Sequence, residues 1–219
     1  MESTQHQIGD TRITLLPRKA MLLDDTHTLV ISDLHIGKAG HFRKHGIPIS
    51  KNIHQSDLAT LSELLIKTRA RQLLIIGDLF HSELNGEWLL FTDFIEKHPE
   101  VKMILVAGNH DRYTKSLIKE SMEVYDSEYR IGHFLFTHEP LNVQQIADPF
   151  YNVCGHIHPA VVLNGNGRQR MKLPCFYFGK KQGILPAFGK FTGSAVLAPN
   201  SEDEVYVIAK DKVIKVSQK

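Results

Sequence analysis

Apolar and polar positions follow two regimes along this chain. In its first half, short unbroken apolar runs alternate with stretches of helical periodicity. Residues 11–16 and 20–23 read as two short strands joined at Pro17, a hairpin ahead of a buried run over 30–37. A helix is expected from a cap at Ser50 or Asn52 to about Arg69, with Ile53, Leu58, Leu61, Leu64 and Leu65 on one face. A second apolar strand spans 73–78, a helix 84–98 and a third strand 101–111. Strand, helix, strand, helix, strand describes parallel βαβ units. A short helix is expected around 114–121, and then the regime changes. Strands follow one another closely at 133–138, 150–158, near Val161, and at 171–178, 194–197, 205–209 and 213–216, with turns at 165–167 and 210–212.

Five of these strands stop at side chains that bind metals. The first ends in Asp33 and His35, which strand alternation would place on one side of the emerging loop. The others end in Asp78, in Asn109 and His110, in His138, and in His156 and His158. Taken singly, each reads as an ordinary turn or a surface histidine. Recurrence directly after five apolar strands points to a metal centre, because ligands of parallel sheets gather at the carboxyl ends of the strands. Imidazole and carboxylate together suit Mn, Fe or Zn.

Composition narrows the picture without changing it. The 219 residues suit a single domain over 1–219, with 42% hydrophobic and 23% charged residues. A net charge of +2 does not by itself indicate nucleic acid, whereas thirteen histidines support the search for metal. Two cysteines, Cys154 and Cys175, form no CxxC pair, which argues against a disulfide framework or a cysteine zinc site. Cys154 reads as a small buried hydrophobe. The polar amino-terminal residues show no secretory signal, and no apolar run approaches the roughly 20 residues that cross a bilayer. A cytoplasmic location and no membrane partner are therefore expected.

The ordered set Asp33-Leu-His35, Gly77-Asp78, Gly108-Asn-His-Asp111, His138 and Gly155-His-Ile-His158 resembles the calcineurin-like metallophosphoesterase superfamily. The resemblance implies an α/β fold, the four-layer α/β/β/α sandwich of two mixed sheets. It implies two divalent metal ions, manganese first, with iron or zinc compatible. Asp33, His35, Asp78 and His158 would hold one. Asp78, Asn109, His138 and His156 would hold the other, with Asp78 bridging. His110 would be the catalytic histidine near the leaving group. One departure stands at Gly77-Asp-Leu-Phe-His81, where many members carry an Asp in place of His81. The segment is similar to the motif of double-strand-break repair nucleases in the same superfamily, which makes His81 a second catalytic candidate facing the substrate phosphate.

Residues 37–48 and 185–193 resemble the bacterial ligase-associated DNA damage response endonuclease branch. That likeness implies a metal-dependent phosphodiesterase acting on DNA ends or single strands in repair, in functional association with a DNA ligase and a helicase. Independently, Lys38, Arg43 and Lys44 follow the first ligand strand and can neutralise phosphates, while Phe42 can stack a base. Lys180, Lys181 and Lys190 are candidates to extend that surface. Phe188, Phe191 and Thr192 are candidates for either the mouth of the site or the core. Two other functions are compatible with these residues. One is a small-molecule phosphoesterase acting on a nucleotide or cyclic nucleotide. The other is a non-catalytic binding scaffold, which the complete ligand set disfavours.

Overall fold

A computed structural model describes residues 2–38, 53–80, 86–113, 118–165, 167–190 and 192–216. Its first sheet has seven strands in sequence order: β1 (Thr4–Ile8), β2 (Thr11–Leu16), β3 (Ala20–Leu23), β4 (Thr28–Ser32), β5 (Gln72–Ile76), β6 (Lys102–Val106) and β7 (Glu123–Tyr125). Strands β1 to β4 pair antiparallel and β4 to β7 pair parallel. The parallel connections run through α1 (Ile53–Thr68) and α2 (Gly86–Glu96), as the helical periodicity required.

The second sheet contains β8 (Glu128–Ile131), β9 (Phe134–Thr137), β10 (Tyr151–Cys154), β11 (Pro159–Asn164), β12 (Arg170–Phe178), β13 (Gln182–Ile184), β14 (Ala195–Val196), β15 (Glu204–Ala209) and β16 (Lys212–Val216). Its order is β14-β11-β12-β13-β10-β9-β8, with β15 on β12 and β16 on β15. Strands β9, β10 and β13 run parallel, while the β11–β12 and β15–β16 pairs are antiparallel hairpins.

Alternation within the central strands builds two cores at once. In β4, β5 and β6, Leu29, Ile31, Leu73, Ile75, Met103 and Leu105 face one way. They meet Leu58, Leu61, Leu64 and Leu65 of α1 and Phe91 and Phe94 of α2. The intervening Val30, Leu74, Ile76, Ile104 and Val106 face the second sheet, against Phe134, Phe136, Val153, Phe176 and Tyr206. Strands buried on both faces must read as continuous apolar runs, and 73–76 does. The molecule is thus a sandwich of two mixed sheets, with both described helices on the first. A third, smaller cluster of Val161, Cys175, Val205 and Val207 lies on the second sheet. Cys154 is fully buried, and burial pushes its thiol up, as expected of an inert core residue.

Strands β1, β7, β8 and β13 have no counterpart in the sequence reading. The expected caps at Ser50 and Asn52, and residues 114–117 of the expected short helix, lie outside the described residues. No described helix is long and apolar enough to cross a membrane.

Candidate metal centre

The carboxyl ends of β4, β5 and β6 point to the same edge of the sandwich as those of β9 and β10. The loops that follow carry the candidate ligands, and hydrogen bonds stitch them together. The amide of His35 donates to Asp78 O at 2.9 Å, that of Gly77 to Val106 O at 2.7 Å, and that of Gly155 to His138 O at 3.1 Å. The two sheets join at Asp33, whose Oδ2 accepts from the His156 amide at 3.0 Å.

Strand alternation is not what brings these side chains together. Strand β4 ends at Ser32, and Asp33, His35, Asp78, His156 and His158 all have φ between +44° and +62°. Non-glycine residues in this left-handed region cost on the order of 1–3 kcal/mol each, so they persist only where the surroundings impose them. Five of the nine described non-glycine residues with positive φ are candidate ligands. Left-handed turns, rather than extended strand, thus carry five of the seven candidate ligands. Glycines make the close approach possible. A Cβ at Gly77 would overlap the His138 ring, one at Gly108 or Gly155 would overlap the Asp78 or Asp33 carboxylate, and one at Gly189 would strike the Leu34 carbonyl.

Two clusters result. Asp33, His35 and His158 form the first, and Asp78, His138 and His156 the second, each with ligand atoms within 4.8 Å of one another. In the first, His158 Nε2 lies 3.3 Å from Asp33 Oδ1. In the second, His138 Nε2 lies 2.7 Å from Asn109 Oδ1, 3.1 Å from His156 Nδ1 and 3.6 Å from Asp78 Oδ1. Asp78 stands between the clusters: Oδ1 faces His138, while Oδ2 is 3.8 Å from His35 Nε2.

These groups fit divalent cations better than they fit one another. Three neighbours converge on His138 Nε2, and one N–H can serve only one of them. Asp33 Oδ1 is buried without a hydrogen bond, a cost of about 1–3 kcal/mol that a bound cation would offset. Oxygen and nitrogen ligands about 2.1 Å from a shared ion sit about 3.0–3.5 Å apart, close to the observed spacings. The donor set of imidazoles, carboxylates and one amide oxygen suits Mn, Fe or Zn.

His110 belongs to neither cluster. Its side chain is partly exposed, with Nε2 4.0 Å from Asp78 Oδ2, and its amide donates to Asp78 Oδ1 at 3.0 Å. Lys38 is half-buried nearby, and burial lowers its ammonium pKa against the opposing pull of Asp78 and Asp33. Phe42, Arg43, Lys44, His81 and Phe191 lie outside the described residues. Lys181 and Lys190 are tied to Asp148 and Asp57 at 2.9 and 3.4 Å. Phe188 is buried in the core between the first sheet and its helices.

Two supports stand in motifs of the sequence that pointed to no such role. Asp111 is fully buried and accepts from the amides of Gly108 at 2.9 Å and Phe80 at 3.1 Å, fixing the turn that presents Asn109 and His110. Burial pushes its carboxyl up to about 6 and the Asp78 charge adds to the rise, while those amides oppose it. The other is the 186–193 segment, which braces the first ligand turn. The amides of Phe188 and Gly189 donate to Ser32 O at 2.8 Å and Asp33 O at 3.2 Å, and Gly193 O lies 3.0 Å from His158 Nδ1.

Comparison with known proteins decides the family. The family model described as calcineurin-like phosphoesterase matches residues 26–184. This chain belongs to the calcineurin-like phosphoesterase family. Membership makes it a metal-dependent phosphoesterase, and the two histidine–aspartate clusters are where such a protein would hold metal. Among solved structures, the chain is similar to the nuclease MPE of Pseudomonas putida, at 28% identity and TM-score 0.83, covering 98% of this chain and 100% of that one. A protein of unknown function from Aquifex aeolicus matches at 23% identity and TM-score 0.44, covering 64% and 82%. A phosphoesterase from E. coli matches at 14% and 0.43, covering 87% and 98%. No curated protein matches the chain by sequence.

Proposed function

We propose that this phosphoesterase is a dinuclear-metal phosphodiesterase that cleaves DNA, on single strands or at ends. The observation that carries the proposal is the position of Asp78, whose two oxygens face the two clusters separately. The likeness to the Pseudomonas putida nuclease over the whole length of both chains supports a nucleic-acid substrate. Asp33, His35, Asp78 and His158 would hold one ion, and Asp78, Asn109, His138 and His156 the other. Manganese is the first candidate.

Two bound cations would supply neutralisation of the phosphoryl oxygens and an acidified water for in-line attack. The chain's own residues set the rest. Asp78 keeps the clusters close. Asn109 contributes a neutral oxygen, which limits negative charge where an anionic diester must approach. Lys38, partly withdrawn from solvent, adds positive charge on the approach side. His110 is placed to give a proton to the departing oxygen, and His81 is proposed to face the same phosphate. DNA repair is the setting this reading implies. The association with a DNA ligase and a helicase rests on the sequence likeness at 37–48 and 185–193.

Release of p-nitrophenol tests the reading. With Mn²⁺ added, bis-p-nitrophenyl phosphate should be hydrolysed much faster than the monoester, and a labelled single-stranded oligonucleotide should be cut. His110→Ala should lower turnover about 10²–10⁴-fold while metal content is unchanged. An intact oligonucleotide beside a hydrolysed mononucleotide would contradict the DNA reading. Wild-type turnover in His110→Ala would contradict the assigned proton donor.

A further inference from the structure

The charge of the chain is nearly balanced overall and strongly unbalanced in one place. Between Asp148 and Glu202 there is no carboxylate, while Arg168, Arg170, Lys172, Lys180, Lys181 and Lys190 contribute six cations. The rest of the chain then holds 20 cations against 24 carboxylates. Lys181 and Lys190 have carboxylate partners. Arg168, Arg170 and Lys172 are exposed and have none among the described residues.

These three sit on the β11–β12 hairpin, which leaves the metal centre directly, because β11 begins at the residue after His158. Arg170 pairs with Asn164 and Lys172 with Val162. Alternate residues share a face of a strand, so Arg170 and Lys172 lie side by side about 7 Å apart. Val162 and Asn164 are four and six residues beyond His158, so the row leads outward from about 13 to about 20 Å from that ligand, and Arg168 continues it into the turn. The inner end is tied to the site. Lys172 Nζ donates to Ser194 O at 2.7 Å, and the neighbouring Gly193 O holds His158. Lys172 is thus held by a neutral carbonyl rather than by a carboxylate. Val196, 53% exposed on β14, pairs with Ala160 and adds an apolar shelf beside the cations.

The opposite flank of the centre has the reverse character. A cavity of about 260 Å³ adjoins the second cluster, and its wall includes Asp126 and Glu139 beside Asn109 and His138. A polyanion crossing the centre meets carboxylates on that side and unneutralised cations on the other.

We propose that the β11–β12 ribbon is the track along which the backbone of a single-stranded nucleic acid enters the metal centre, with Lys172, Arg170 and Arg168 taking successive phosphates. The proposal rests on the phosphodiesterase reading and adds the surface and direction of approach. It places the phosphate contacts on β12 and the turn before it, a region distinct from the loop after Lys38.

The test uses the full chain and a fluorescein-labelled single-stranded DNA oligonucleotide. Binding is followed by anisotropy across a KCl series in the His110→Ala background, with and without Arg168→Gln and Arg170→Gln. Loss of two phosphate contacts should weaken binding about tenfold at low salt. It should also reduce the slope of log K against log salt by about 1.4, at roughly 0.7 per single-strand phosphate. With His110 restored, the double variant should lose at least about tenfold more rate on the oligonucleotide than on bis-p-nitrophenyl phosphate. An unchanged slope and affinity, or an equal loss on both substrates, would overturn the ribbon assignment and leave the phosphodiesterase reading standing. Ribbon-dependent, salt-sensitive binding by a wild-type protein that hydrolyses neither ester would do the opposite. A circular-dichroism melt within about 2 °C of the parent would show that these exposed changes leave the fold intact.

Discussion

The two ligand clusters are built differently. The first takes Asp33 and His35 from a single turn after β4 and one residue, His158, from the second sheet. Its backbone is held from outside by 186–193, through the amides of Phe188 and Gly189 and the carbonyl of Gly193. The second draws Asp78, Asn109, His138 and His156 from four separate strand ends, two in each sheet. Its order comes from the sheets themselves and from the buried Asp111 carboxylate behind Asn109. One cluster depends on a late segment of chain that is not part of the parallel core. The other depends on how the two sheets are packed. Asp78 faces both, with Oδ1 toward His138 and Oδ2 toward His35, so the clusters should be separable by mutation everywhere except there.

The largest effect is therefore expected at Asp78. Asp78→Asn should lower manganese content below one ion per chain and cut hydrolysis of bis-p-nitrophenyl phosphate by about a thousandfold, about 4 kcal/mol of barrier. Metal analysis and steady-state rates check this, and retention of both ions would remove the bridging role. Next come His156→Ala and His158→Ala. Each should leave about one ion bound, and the two single losses should not add in the double variant beyond the loss of both ions. Loss of both ions from either single variant would break the distinction between the clusters.

Smaller again is Gly189→Ala, which touches no ligand. Its methyl would strike the Leu34 carbonyl and push the 186–193 brace off the first turn. One of two manganese sites should weaken about 10–100-fold in a titration, as for other changes behind the ligands, while the second stays at wild-type affinity. Asp111→Asn should do the reverse, weakening the second site more than the first, because its carboxylate fixes the turn that presents Asn109, while its bonds to the turn after Asp78 touch both sites more weakly. Equal weakening of both sites in either variant would mean that the supports are shared.

Much of this was legible in the sequence. Runs such as 73–76 and 103–106 must be buried on both faces, and the polar residues that end them mark the carboxyl edge of a parallel sheet. The spacing of Leu58, Leu61, Leu64 and Leu65 fixed the buried face of α1. Other features could not be read. Strand β1 is largely polar, with only Ile8 buried, because it forms the edge of its sheet. Strands β7 and β13 have three residues each, too few for any period to show. The left-handed turns at Asp33, His35, Asp78, His156 and His158 are imposed by tertiary packing, since no local rule asks Asp or His to adopt them. Asp33 and His35 meet through these turns and not through strand alternation. Asp111 was visible as the last letter of a motif, but its work, holding the amides of two turns, is a property of the folded chain. The cationic row on β12 was diluted in a balanced total charge. A count of carboxylates by segment would have found it.

The central claim is that the two clusters form one bridged pair of cation sites. Elemental analysis of wild type and Asp78→Asn, each loaded with manganese and freed of excess, tests it most directly. The account predicts about two ions per chain in the wild type and fewer than one in the variant. One ion or none in the wild type, or two in Asp78→Asn, would contradict it.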